Sequence, residues 1–122
     1  MKYKLLISFI LSMVSSYVFA SGGYQNEFIV QFDTGNIYGV SIKGDSLTWT
    51  GMAGEDKETE QIVNIKHISL ANNIEVFQWK EKRGYFVTFI VDTLNKKAIT
   101  STKSAGKEDW LVAGEITNFK NG

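Results

Sequence analysis

Tyr85-Phe86-Val87-Thr88-Phe89-Ile90-Val91, set directly behind Gly84, decides the fold class of this chain. The run is short, β-branched and aromatic, which suits a pleated, half-buried strand and fails the 3.6-residue period of a helix. Working outward, turn signals recur on both sides: Gly35-Asn36, Gly44-Asp45 and Asn72-Asn73, with Gly84 and Gly106 punctuating the later runs. The chain has no proline, so its turns must be made by glycine and asparagine, which tolerate the positive φ of tight hairpins. Between the turns, strands are expected at 27–33, 36–43, 46–52, 61–70, 73–81, 85–92, 97–103 and 109–119. Eight short strands with short connections predict an all-β domain, an antiparallel up-and-down barrel, with a sandwich as the other arrangement of such strands.

Alternation assigns the faces. Phe28, Val30 and Phe32 share one side of the first strand, against Glu27, Gln31 and Asp33. Tyr38, Val40 and Ile42 do the same in the second, and Leu47 and Trp49 in the third. Strict period two means one buried face and one wet face. The strand at 73–81 is mixed: Glu75, Phe77, Trp79 and Glu81 oppose Ile74, Val76, Gln78 and Lys80. A partly polar lumen, or an outer face covered by a partner, would produce that mixture. Eight strands enclose just enough space to be filled by side chains or to hold one small ligand. Both outcomes stay open at this point.

The first 20 residues read as an export signal. Lys2 and Lys4 precede an apolar run from Leu5 to Val14, and Val18-Phe19-Ala20 ends on a small residue before Ser21. That is the charged, apolar, small-residue order of a cleaved leader, and the apolar run is short of the roughly 20 residues a spanning helix needs. The expected organisation is a signal peptide at 1–20 and one barrel domain at 21–122, periplasmic or secreted, without a stable membrane anchor. The absence of cysteine excludes disulfides and a lipid-bearing thiol at the cleavage site. Lysine plus arginine equals aspartate plus glutamate at 13 each, and losing Lys2 and Lys4 leaves the mature surface slightly acidic. Nucleic acid, whose phosphates require clustered Lys and Arg, is excluded as a partner.

No catalytic or metal motif stands out, and no cofactor is expected. His67 is the one histidine, without cysteine or a second histidine to join it as a ligand, and is read as a strand residue at or near the surface. Gly51-Met52-Ala53-Gly54 is glycine-rich, but no helix follows to present a phosphate-binding N-terminus. Glu55-Asp56-Lys57-Glu58-Thr59-Glu60 lacks calcium-loop spacing and reads as a solvated connection, or as a lid over a barrel mouth. Lys96-Lys97 and the Thr100-to-Ser104 stretch read as an exposed polar hairpin with no binding site.

The segment from Val76 through Trp79-Lys80-Glu81 and Gly84 to Asp92 resembles calycin-like (lipocalin-like) barrels, with the MoaF-like domain (molybdenum-cofactor biosynthesis protein F) nearest and the bacterial phenolic acid decarboxylases next. Asp33-Thr34-Gly35, the strand holding Tyr38, Gly51-Met52-Ala53-Gly54 and Val63-Asn64-Ile65 support that resemblance, which spans about residues 27–103. It implies the barrel scaffold. The decarboxylase chemistry does not follow, because its two tyrosines fall on Val30 and Phe32, its arginine near Glu55 or Asp56, and its acid near Asn72.

The reading that results is a barrel binding a small, partly apolar molecule without transforming it. Val30, Phe32, Tyr38, Val40 and Trp49 are the expected pocket residues, with Gln78 as polar anchor. The alternatives are a filled barrel serving as a protein-interaction or structural module, and an uncharacterised barrel enzyme using Tyr38 and Glu81. Oligomeric state is not legible.

Overall fold

The computed structural model describes residues 24–104 and 109–121. The expected leader lies outside the described residues. The rest is antiparallel sheet: β1 (Gln25–Phe32), β2 (Ile37–Lys43), β3 (Ser46–Ala53), β4 (Glu60–Asn64), β5 (Lys66–Ala71), β6 (Ile74–Lys80), β7 (Phe86–Asp92), β8 (Lys97–Lys103) and β9 (Trp110–Asn121). Their order is β4-β3-β2-β1-β9-β8-β7-β6-β5, a meander whose first and last strands pair with each other. Val30 faces Ile116 and Phe32 faces Gly114 across that junction. The sheet curls into a nearly closed barrel, with β4 and β5 on either side of the seam and β4 lying against β6.

Nine strands replace the eight expected, and the difference sits at Ile65. Residues 60–64 pair with β3, in the register Leu47↔Val63, whereas residues 66–71 pair with β6, in the register His67↔Phe77. Between them Ile65 is buried and its backbone N–H donates to Asp45 O at 2.8 Å. The inward alternation Val63, Ile65, His67 continues unbroken across the change. Side-chain pattern therefore reads one strand where the hydrogen-bond ladder makes two, each serving a different flank of the seam.

Parity holds elsewhere. Phe28, Val30, Phe32, Val40, Ile42, Leu47, Trp49, Phe77, Trp79, Val87, Phe89 and Val91 are all buried, and their strand neighbours are mostly not. One end of the barrel is filled centrally by aromatic side chains. Phe28 stacks on Phe89 and on Phe119, each at 6.0 Å between centroids, and Phe77 meets Phe89 at 6.3 Å. The other end is open. Along each strand the residues nearer that end line a cavity: Val30 and Phe32 but not Phe28, Tyr38 and Val40 but not Ile42, Val87 and Phe89 but not Val91. The lumen is thus half core and half pocket.

Candidate functional site

The open end carries the β1–β2, β3–β4 and β6–β7 connections, and these supply the polar groups of a cavity of about 560 Å³. Its walls are largely aromatic. Tyr38 meets Trp49 edge-on at 5.5 Å and Phe32 at 5.9 Å, while Tyr85 and Trp110 approach to 5.6 Å at the rim.

Asp56 arrives from the β3–β4 connection, which folds back rather than extending into solvent. Gly51 N–H donates to Thr59 O at 2.8 Å and Glu58 N–H to Gly51 O at 3.0 Å. A Cβ at Gly51 would run into the Asp56 carbonyl, so only glycine permits so close a return. Gly54 takes a φ of 93°, which turns the chain, and Glu55 N–H donates to Asn36 Oδ1 at 3.2 Å, tying two connections together. The Asp56 carboxylate is thereby brought over the mouth, where Tyr38 Oη donates to its Oδ2 at 2.6 Å.

Glu81 and Arg83 come from the β6–β7 turn, closed by Glu81 N–H to Tyr85 O and Gly84 N–H to Glu81 O, both 2.8 Å. Arg83 donates from Nη2 and Nε to Glu81 Oε1 at 2.8 and 3.3 Å, and from Nη1 to Asp56 Oδ1 at 3.3 Å. Trp79 Nε1 adds a long donor contact to Glu81 Oε2 at 3.4 Å. The guanidinium also lies over the rings of Trp49 and Tyr85, at 5.7 and 5.1 Å. Glu81 is 7% exposed, and a carboxylate so buried requires such a partner.

These contacts fix protonation states. Burial pushes the Tyr38 hydroxyl well above its ordinary value, and the hydrogen bond to Asp56 and that residue's charge push it further, against a smaller opposing effect of Arg83. Burial alone would lower the Arg83 pKa, but the bonds and charges of Glu81 and Asp56 outweigh it and the net direction is upward. Tyr38 is therefore a hydrogen-bond donor at neutral pH and Arg83 a fixed cation. The arrangement can hold an apolar body among rings and orient a polar or charged head at the mouth.

Val30, Phe32, Tyr38, Val40 and Trp49, expected from parity, all line this cavity. Gln78 does not. It is exposed on the outer face and donates to Thr88 Oγ1 at 3.2 Å, because the alternation that turns Trp79 inward turns its neighbour out. Thr100 and Thr102 line the cavity too, so the β8 stretch read as an exposed polar hairpin gives one face to the lumen. Trp79 and Glu81 share one face of the strand whose mixed pattern left the inward side undecided in the sequence, and the structure turns that face to the cavity. Asp56 and Arg83 belong to connections, where period two gives no direction, whereas Tyr85 shares the parity of Val87 and Phe89.

His67 is away from this site, at the packed end. Its Nε2 is 2.5 Å from Glu75 Oε1, which also accepts from Ser69 Oγ at 2.6 Å, and its ring stacks on Phe77 at 4.7 Å. The histidine is a part-buried strand residue, as a position near the surface allows, and it is partnered by Glu75.

Fold and site together define a small antiparallel barrel with a one-ended, aromatic-walled cavity. The particular likeness is to a structure from Burkholderia vietnamiensis described as a "putative beta-lactamase", with a TM-score of 0.69, 17% sequence identity, and coverage of 79% of this chain and 92% of that one. At that identity the likeness concerns the fold. No protein-family model and no curated protein matches the chain.

Proposed function

We propose that this protein is an exported small-molecule-binding barrel, non-catalytic, that holds a partly apolar ligand in its lumen. The observation that carries the reading is the cavity itself: about 560 Å³, within the range of about 300–1,000 Å³ typical of ligand pockets, with convergent polar groups at one end. A filled barrel would have no such space. The charged, apolar, small-residue order of residues 1–20 supports export, and the MoaF-like pattern around Trp79, Glu81 and Gly84 supports a calycin-type scaffold. Hydrolysis of a β-lactam is not carried over from the structural neighbour. Among the described residues, those lining the cavity include no serine, cysteine or histidine to supply acyl-serine or histidine-held zinc chemistry.

Titration with the neutral fluorophore N-phenyl-1-naphthylamine tests the reading. Saturable one-to-one binding with quenching of Trp emission is expected, and Trp49→Phe should remove much of the quenching while keeping the fold, since an aromatic ring remains. Weak, unsaturable binding indifferent to Trp49→Phe would refute it. A second reading, a protein-docking module, has one specific support: Ile62, Ile68 and Leu70 stay exposed on the outer faces of β4 and β5, flanking the seam.

A further inference from the structure

Resting on that cavity reading, we propose that the lumen takes an organic cation, an ammonium or guanidinium head on an apolar body, whose head competes with Arg83 for the carboxylates at the mouth. Three observations converge on it. Charge is the first. Among the described residues, Glu55, Asp56 and Glu81 line the cavity against one base, Arg83, so this lining carries surplus negative charge even with the ion pairs made. An anionic ligand would find the one guanidinium already engaged by two carboxylates and would add a further like charge. A cation finds the opposite situation.

The second observation is the wall. Phe32, Tyr38, Trp49, Trp79, Tyr85, Phe89 and Trp110 turn seven aromatic side chains toward one cavity. Ring faces are negative, and clusters of them with a nearby acid are a recognised solution for holding ammonium groups, quaternary ones included. The third is that the protein already solves this problem for itself. Arg83 lies over two of those rings while bonded to Glu81 and Asp56, so the seat has both components of cation recognition in working geometry. Arg83 belongs to the turn between β6 and β7 and is 43% exposed, so its head can be displaced without breaking a rung of the ladder.

The test uses the full chain and three probes of matched shape: benzyltrimethylammonium, its uncharged carbon isostere neopentylbenzene, and phenylacetate. Each is titrated against bound N-phenyl-1-naphthylamine at low and high salt. The cation is expected to displace the fluorophore at about fivefold or more lower concentration than the isostere, with the advantage shrinking as salt rises. Arg83→Gln should tighten the cation further, since its internal competitor is gone, and Asp56→Asn should weaken the cation while leaving the isostere unchanged. Near-UV circular dichroism reports whether each variant keeps its packing, and the three-probe comparison on the unaltered protein decides the matter if Arg83→Gln does not fold. Equal binding of cation and isostere would overturn this inference and leave the cavity reading standing. Preference for phenylacetate, abolished in Arg83→Gln, would overturn it in favour of an anion. Failure of the fluorophore itself to bind would remove the cavity reading, and this inference with it.

Discussion

Tyr38 Oη donates to Asp56 Oδ2 across 2.6 Å, and through that bond strand β2 holds the β3–β4 connection over the cavity mouth. The Asp56 side chain is only 20% exposed, so the bond is partly shielded from water. Tyr38→Phe should therefore destabilise the domain by about 1 kcal/mol in urea unfolding, the order of one such hydrogen bond. Amide exchange at residues 54–59 should quicken at the same time. A variant as stable as the parent, with unchanged exchange there, would show that the backbone bonds of Gly51 hold the connection alone.

Two tyrosines resist ionisation, which sets an alkaline limit. Burial, then the charge of Glu75, raises Tyr24 to about 12 despite an opposing bond from Asn26, and burial and Asp56 raise Tyr38 in the same direction. A folded-state pKa above the ordinary 10.0 gives stability that is complete below pH 10 and lost as pH climbs through the folded values. Unfolding midpoints should fall steadily above pH 10. Absorbance titration should show two phenols ionising late, and Asp56→Asn should bring one of them down without moving the other.

Asp92 gives the acid limb. Backbone and side-chain bonds from Asn95, then the amide of Asn73, hold its carboxyl at about 2, below the ordinary 3.8, with a smaller contribution from Leu94 N–H. A depressed carboxylate gives stability present above the ordinary value and lost as pH falls through the folded one. Asp92→Asn should be less stable than the parent at pH 5, and the gap should close on approach to pH 2. A gap that stayed constant over this range would assign its effect to packing of the β7–β8 turn instead.

Gly54 should not tolerate a side chain. Its φ of 93° is strained for alanine, and a Cβ there would strike Asn36. Gly54→Ala is expected to cost about 1–3 kcal/mol and to weaken binding of benzyltrimethylammonium by withdrawing Asp56 from the mouth. Differential scanning calorimetry and displacement of the fluorophore by that cation read the two effects separately.

The two halves of the lumen should respond differently to truncation. Phe77 is 0% exposed and belongs to the packed end, so Phe77→Ala should cost about 3–5 kcal/mol. Trp79, two residues along the same strand, is 8% exposed and borders the cavity. Trp79→Ala should fall below Phe77→Ala in urea unfolding. The reverse order would mean that the open end carries the greater share of the core.

Much of the barrel was readable because one physical rule governs it. Period-two burial directed Phe28, Val30, Phe32, Tyr38, Val40, Leu47 and Trp49 inward, and the structure places them there. The same rule places Gln78 and Trp79 on opposite faces of the mixed strand but does not by itself say which face is inward. The choice of Gln78 as an anchor rested on polarity, and polarity does not set direction. The strand count failed for a different reason. Val63, Ile65 and His67 alternate without a break, and only the identity of the hydrogen-bonded neighbour, which leaves no mark on side-chain pattern, divides β4 from β5. The mouth was legible least. Asp56 and Arg83 are 27 positions apart and meet only after both connections fold. A charged loop in a sequence looks solvated until its partner is known.

The pairing of β1 with β9 has a kinetic consequence. Strands β1 to β4 can form as one run of hairpins and β5 to β9 as another, each from contacts local in sequence. Joining them requires Val30 to find Ile116, the kind of distant encounter whose loop-closure entropy must be met before any contact rewards it. Docking of the two half-sheets is thus the expected slow step of folding, on the order of milliseconds to seconds for such non-local β topologies. Until it happens the cavity does not exist, because its walls are drawn from both halves. On the proposed function, a ligand could act only on a chain that has already crossed that barrier, and should slow its unfolding while leaving its folding rate untouched.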